Sequence, residues 1–327
     1  MTKKRYSLFL IITLQILTIS FIITSSLSFD YLSEQTYPPG FDQDKCETEE
    51  PLEPTEQMFY GPPYEPNSTI KVNSSSSEYE ENLPYYVADI NSEGFRDNEF
   101  SPHSSEDSLR IIVVGDSFTF GKGLNASDRY TNVLEKKMNN SLSQDIEVLN
   151  LGISGNGIKD HYNFIQAKAL DYEPNFIVVS FQKHDQLSGE QAGDIVTRVK
   201  KQHNIESYEE LIDNSKAWKE VEQNHNQFYN NLDWTSSDIF VYGNRLHELS
   251  TKKDFELVLF DIELKYALYQ DQVKNWESKC HVNILSAADY IAEPYERLYF
   301  SENPRFNVKG NQKLGEILST ELNSRII

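Results

Sequence analysis

The stretch Arg110-Ile111-Ile112-Val113-Val114-Gly115-Asp116-Ser117-Phe118-Thr119-Phe120-Gly121 constrains this chain more than any other. Its first half is apolar without alternation, the pattern of a strand buried on both faces, as in a parallel sheet covered by helices. It stops abruptly at a glycine, an acid and a serine. In an open α/β sheet the C-terminal ends of the strands are where ligands collect, so this wording delivers Ser117, with Asp116 beside it, to the start of a helix at such an edge. A serine placed there is a candidate nucleophile.

The rest of the chain repeats the alternation that such a strand requires. Apolar runs rich in Val, Ile, Leu and Phe predict strands at 109–115, 146–151, 175–181, 255–261 and 282–286, with helices near 126–140, 157–170, 263–278 and 308–323. Ser127-Asp128 is expected to cap the first of these helices and Asn307 the last. The expected fold is therefore α/β: a three-layer α/β/α sandwich around a five-stranded parallel sheet. Residues 186–254 form a long polar insert between the third and fourth strands, helical around Tyr208–Tyr229 and read either as a lid or partner surface or as a solvated excursion.

The wording Gly115-Asp116-Ser117-Phe118-Thr119-Phe120-Gly121 resembles the first block of the SGNH, or GDSL, hydrolases. The second block of that family is matched by Glu147-Val148-Leu149-Asn150-Leu151-Gly152-Ile153-Ser154-Gly155-Asn156-Gly157. The resemblance implies an acyl-Ser117 chemistry in which the N–H groups of Ser117 and Gly152 stabilise an oxyanion. The third block, normally a strand followed by Gly-x-Asn-Asp, is met by Phe176–Phe181 and then Gln182-Lys183-His184-Asp185, so His184 stands at the asparagine position. The last block is met by Glu302-Asn303-Pro304-Arg305-Phe306-Asn307-Val308-Lys309-Gly310. The Asn307-to-Gly310 spacing puts Arg305 at the histidine position, and the acid position falls on Glu302 in one spacing and on Asn303 in the other. The likeness spans roughly residues 91–325.

This departure bears on chemistry, because a serine hydroxyl attacks poorly until a base takes its proton. Arginine stays charged at any working pH and cannot be that base. Three readings follow. A degenerate hydrolase fold binds a glycan, a lipid or a protein. An active esterase uses His184, on the oxyanion side, as the base for Ser117 and cleaves an ester such as an O-acyl group on a polysaccharide. Or another histidine enters, with His103, His161, His247 and His281 as candidates. Arg305 is expected to pair with Glu302 or to bind an anionic group.

Lys3-Lys4-Arg5 precedes an uncharged run from Leu8 to Phe29, close to the ~20 residues that cross a bilayer. Residues 1–29 are thus read as an N-terminal anchor or signal, with the basic flank in the cytoplasm and the rest of the chain outside. Residues 30–88, rich in Pro, Ser and acid, read as an extended stalk, with Tyr60, Tyr64, Tyr85 and Tyr86 available to pack on the domain; residues 89–327 form the domain itself. In an extracytoplasmic chain Cys46 and Cys280 are candidates to pair. No metal-ligand spacing and no cofactor motif is present. With 51 acidic against 30 basic residues, a net charge of −21, nucleic acid is not an expected partner.

Overall fold

The computed structural model describes residues 46, 62–73, 85–105, 108–186, 189–206, 211, 214, 216–217, 219–221, 223–224, 237–264, 267–292, 294, 297–300 and 303–326. Strand β1 (Thr69–Asn73) and strand β2 (Tyr85–Asp89) form an antiparallel pair. The central apolar run is strand β3 (Ser108–Gly115), followed by a single helical turn, α1 (Ser117–Phe120), and then helix α2 (Tyr130–Ser141). Next come β4 (Asp145–Gly152), α3 (Ile158–Ala167), β5 (Phe176–Phe181), α4 (Gly189–His203), α5 (Asp238–Lys252) and β6 (Glu256–Asp261). The chain continues with α6 (Ala267–Cys280), β7 (Ile284–Ser286), β8 (Tyr299–Phe300), β9 (Asn303–Phe306) and α7 (Val308–Ile326).

Five strands make one wholly parallel sheet in the order β4-β3-β5-β6-β7. One face carries Leu109, Ile111 and Val113 of β3, Phe176 and Val178 of β5, and Val258 and Phe260 of β6, packed with Tyr130, Leu134 and Met138 of α2 and Leu314, Leu318 and Leu322 of α7. The other face meets α3, α5 and α6. Tyr162 lies 5.6 Å from Tyr242 between ring centroids, and Trp276 packs on Phe240 and Phe181 at 6.1 and 6.2 Å. Burial on both faces is the physical reason these strands are mostly apolar without alternation, each fully buried large side chain contributing about 1.5–3 kcal/mol. The strand order reverses at β3, whose chain first steps out to β4 and then returns past β3 to β5. The C-terminal ends of β3 and β5 therefore flank the switch point, and Ser117 and His184 follow those two strands.

Three expectations are corrected. First, Ser127-Asp128 does not cap α2: residues Ala126–Asp128 form a 3-10 turn, α2 starts at Tyr130, and the Tyr130 N–H is received by Asn311 Oδ1 of α7 at 3.1 Å. A cap supplied 181 residues away leaves no local signal. Second, part of the supposed insert is a layer of the sandwich. Helix α5 is the crossover that two adjacent parallel strands, β5 and β6, require, and its residues 238–246 are all buried, the polar Asp238, Asn244 and Arg245 among them, so burial there does not follow residue type. The insert proper keeps a small core of its own, formed by Ile195, Val199, Ile205, Leu211, Ala217 and Val221.

Third, the stretch read as an extended stalk is folded at its C-terminal end. Besides the β1–β2 pair, Tyr64 accepts a hydrogen bond from the Ser154 N–H at 3.1 Å and its ring lies 5.3 Å from Phe120. The expected pairing of Cys46 with Cys280 is present: the two form a disulfide with Cα atoms 5.4 Å apart. The apolar run Leu8–Phe29 lies outside the described residues, and among the described residues no helix is long and apolar enough to cross a membrane.

The turn that carries Ser117 is held from behind. Arg96, 5% exposed, donates to the carbonyls of Phe120 at 3.1 Å, Gly121 at 2.6 Å and Leu124 at 2.6 Å. Asn150 Nδ2 donates to the Thr119 carbonyl at 2.7 Å and to Thr131 Oγ1 at 2.8 Å, while the Asn150 N–H is received by Asp97 at 2.8 Å. Asp97 also pairs with Arg129, whose guanidinium in turn donates to the Arg96 carbonyl. Thr119 Oγ1 closes the arrangement with Tyr130 OH and Ser180 Oγ, both at 2.7 Å. Replacing Arg96 by methionine keeps the bulk but takes a buried cation from three carbonyls, of which that of Gly121 keeps the Leu124 N–H at 3.1 Å, so Arg96→Met is expected to lower stability by about 3 kcal/mol in urea denaturation. A loss below ~1 kcal/mol, the level of an ordinary surface change, would show that the turn does not depend on it.

Candidate functional site

Asp116 is the first element of the site. It caps α1, accepting the Phe118 N–H on Oδ1 at 2.9 Å, which places Ser117 as the first residue of the turn with only 8% of its surface exposed. The other carboxylate oxygen of Asp116 faces β5: His184 Nε2 lies 3.1 Å from Oδ2, and Gln182 Nε2 donates to the same oxygen at 3.5 Å. Asp185 sits behind His184, its Oδ1 3.8 Å from His184 Nε2, while its Oδ2 receives the Gln182 N–H at 2.8 Å. From the opposite side Arg305, on β9, donates from Nε to Ser117 Oγ at 3.4 Å. Phe118 bridges the two sides, with ring centroids 6.3 Å from His184 and 5.6 Å from Phe306.

Electrostatics decides what these groups can do. Burial alone would lower the affinity of His184 for its proton, but the carboxylates of Asp185, Asp116 and Glu263 overcome it and push the imidazole from its usual 6.5 up to about 9. The ring is half-exposed, so water screens part of this attraction without reversing it. An imidazolium has two donors and no lone pair. Burial would raise the Asp116 carboxyl, yet the hydrogen bond and charge of His184 hold it below its usual value. Asp185 is pushed the other way, to about 7, by burial and by the neighbouring Asp116 charge. His161, on α3, senses the charges of both Asp116 and His184, and burial drives it down to about 4; its Nε2 is enclosed without a hydrogen-bond partner.

Of the residues expected at the site, Asp116, Ser117, His184, Asp185 and Arg305 converge, and Glu302 lies outside the described residues. Gly152 is placed differently from its expected role. Its N–H is received by Asn150 Oδ1 at 3.1 Å, and a Cβ there would lie 2.3 Å from the Phe120 nitrogen, so glycine is required by the close approach of β4 to α1. Gly155 has φ +93° and nothing within 4 Å of where a Cβ would stand, so its backbone borders open space on the same loop. One of the histidine candidates, His161, is buried beside the acid, a position only the packing of α3 reveals. One further residue escaped the sequence reading: Lys122 donates its backbone N–H to the Ser117 carbonyl at 3.1 Å. Of the other histidine candidates, His103 pairs with Glu173 at 2.8 Å, His247 lies on α5 and His281 follows α6. Among the described residues no three His, Cys, Asp or Glu side chains are grouped to hold a metal ion.

No protein-family model matches the chain, and no curated protein sequence matches it. Solved structures do. A lipolytic protein of the G-D-S-L family from Desulfitobacterium hafniense DCB-2 is 18% identical with a TM-score of 0.38, over 65% of this chain and 98% of that one. A lipase/acylhydrolase from Enterococcus faecalis is 12% identical with a TM-score of 0.41, over 66% and 96%. The acetyl xylan esterase AlAXEase is 13% identical with a TM-score of 0.37, over 65% and 99%. No chemistry is carried to this chain from likenesses of that size.

The two imidazoles should titrate far apart. In histidine-resolved NMR, His184 is expected to keep its proton until the pH nears 9, and His161 to stay neutral down to about 4. The linkage has opposite signs. His184, raised on folding, supports the fold fully below about 6.5 and stops doing so as pH climbs through about 9; His161, lowered on folding, has its full effect above about 6.5 and weakens the fold as pH falls toward 4. His184→Gln should flatten the alkaline limb of the stability profile, and an unchanged limb would disprove the pairing with Asp116.

Proposed function

We propose that this chain is an SGNH/GDSL-type hydrolase fold that has lost the means of activating its serine, and that it holds a ligand at Ser117 without cleaving it. The observation that carries this reading is the contact of Ser117 Oγ with Arg305 Nε at 3.4 Å. A hydrolytic serine must lose its proton to a base as it attacks, and a guanidinium at that position offers only donors. The one histidine that the block pattern puts on the other side is bound to Asp116 and kept protonated near neutral pH, so it has no site to receive the proton either. Without general-base assistance, acyl transfer loses a factor of typically ~10²–10⁴.

The test is direct. Purified protein should show no labelling by a fluorophosphonate and no hydrolysis of p-nitrophenyl acetate above the Ser117→Ala level. Robust hydrolysis lost in Ser117→Ala would overturn the reading. If that activity persisted in His184→Ala but vanished in His161→Ala, the neutral His161 would be the base, and the chain would be an esterase of acyl groups.

We further propose that residues 8–29 anchor the protein in a membrane with the domain outside the cytoplasm. The basic flank Lys3-Lys4-Arg5, the uncharged run and the Cys46–Cys280 bond, which suits an oxidising compartment, support this. The full chain is expected to remain in the membrane pellet after a carbonate wash. Recovery in the supernatant would exclude a spanning anchor.

A further inference from the structure

We propose that Asn125 is a glycosylation site, its side-chain nitrogen taking an oligosaccharide from a donor linked to a polyprenyl phosphate, while Asn139, in the same sequence pattern, stays bare. This inference rests on the reading that the domain lies outside the cytoplasm, where such transfer takes place.

An asparagine two residues ahead of a serine or threonine is the acceptor pattern for N-linked glycans, met on surface loops of exported proteins. Four such patterns occur, at Asn67, Asn73, Asn125 and Asn139. A pattern this short recurs by chance, so the folded surroundings have to choose. The segment Asn125-Ala126-Ser127 is presented whole. All three residues are exposed, and Asn125, extended with φ −66° and ψ 154°, leads into the 3-10 turn Ala126–Asp128. Among the described residues the Ser127 hydroxyl forms no hydrogen bond, so the group a transferase reads two residues on is open. Asn125 Nδ2 donates to Asp128 Oδ2 at 3.5 Å on the surface and carries a second proton that a sugar can replace. The residues on either side, Leu124 and Arg129, are buried, so a glycan on the turn leaves the frame around Ser117 untouched.

The other two described side chains are less open. Asn67 is exposed at φ +55°, but the hydroxyl of its pattern belongs to Thr69, which donates to Asp89 at 2.8 Å within the β1–β2 pair. Asn139 is exposed too, yet its carboxamide is engaged at both ends: Nδ2 donates to the Ile146 carbonyl at 2.8 Å and Oδ1 accepts the Ile146 N–H at 2.9 Å. Both bonds go to one residue, so the proton used lies on the oxygen's side of the carboxamide, the side a sugar occupies in a trans amide. A glycan on Asn139 would therefore open the edge of the sheet at β4, which this side chain closes. In the transfer itself the Asn125 nitrogen bonds to C1 of the first sugar, the bond from C1 to the lipid phosphate oxygen breaks with its electron pair leaving on that oxygen, and Nδ2 gives up one proton.

Mass spectrometry of the full chain, extracted in detergent from the cells it comes from, tests this. Trypsin cuts after Lys122 and Arg129 and isolates Asn125 in the peptide Gly123–Arg129, apart from Asn139. That peptide should carry a sugar series fragmenting from Asn125, and the peptide holding Asn139 should keep its unmodified mass. Ser127→Ala should abolish the modification and Ser127→Thr should retain it, a dependence that a non-enzymatic adduct would not follow; both changes fall on an exposed turn. A bare Gly123–Arg129 peptide, sugar on Asn139, or sugar unchanged in Ser127→Ala would overturn the proposal. Protease added to intact cells or spheroplasts reports location independently. A domain cut from outside with Asn125 bare keeps the extracytoplasmic reading and loses this one; a domain protected inside loses both.

Discussion

The site depends on a turn whose carbonyls are satisfied from outside itself. A single helical turn cannot hydrogen-bond its own last carbonyls, and here it lies beneath protein rather than water. Arg96 and Asn150 take the place of solvent, one reaching up from the segment before β3 and the other across from β4. Because Asn150 also receives the Gly152 N–H, the same side chain joins the two loops that border Ser117. The serine is thus placed by a rigid frame that would suit catalysis, whatever the neighbouring residues go on to do with it.

What those neighbours do is a matter of proton affinity. In a hydrolytic site the imidazole is neutral and close to the serine oxygen. Here the imidazole after β5 lies against two carboxylates, which favour its charged form, and the group on the serine is a guanidinium. Neither group, while charged, offers the serine an acceptor for its proton.

Much of this was legible beforehand. The five parallel strands fall close to where runs rich in apolar residues predict them, because burial on both faces leaves its mark on most residues of a strand. The convergence of Ser117, His184 and Arg305 was readable from block spacing. The limits of that reading are equally physical. Helix α5 buries polar side chains along with apolar ones over its first nine residues, so it merged with the polar insert before it. Asn311 caps a helix from the far end of the chain. The Gly152 role was misread because close backbone approach and a free N–H ask for the same residue type.

By itself, the sequence determined the sheet, the position of a serine at its edge, the absence of a histidine from the last block and the acidity of the chain, since each is written in local composition or spacing. Only the tertiary structure decided the partners. That His184 faces Asp116 and that Arg305 reaches the serine oxygen depend on how β3, β5 and β9 come together, and proton affinity follows from those distances and from burial. Residue type says which groups can carry charge; packing decides which of them do.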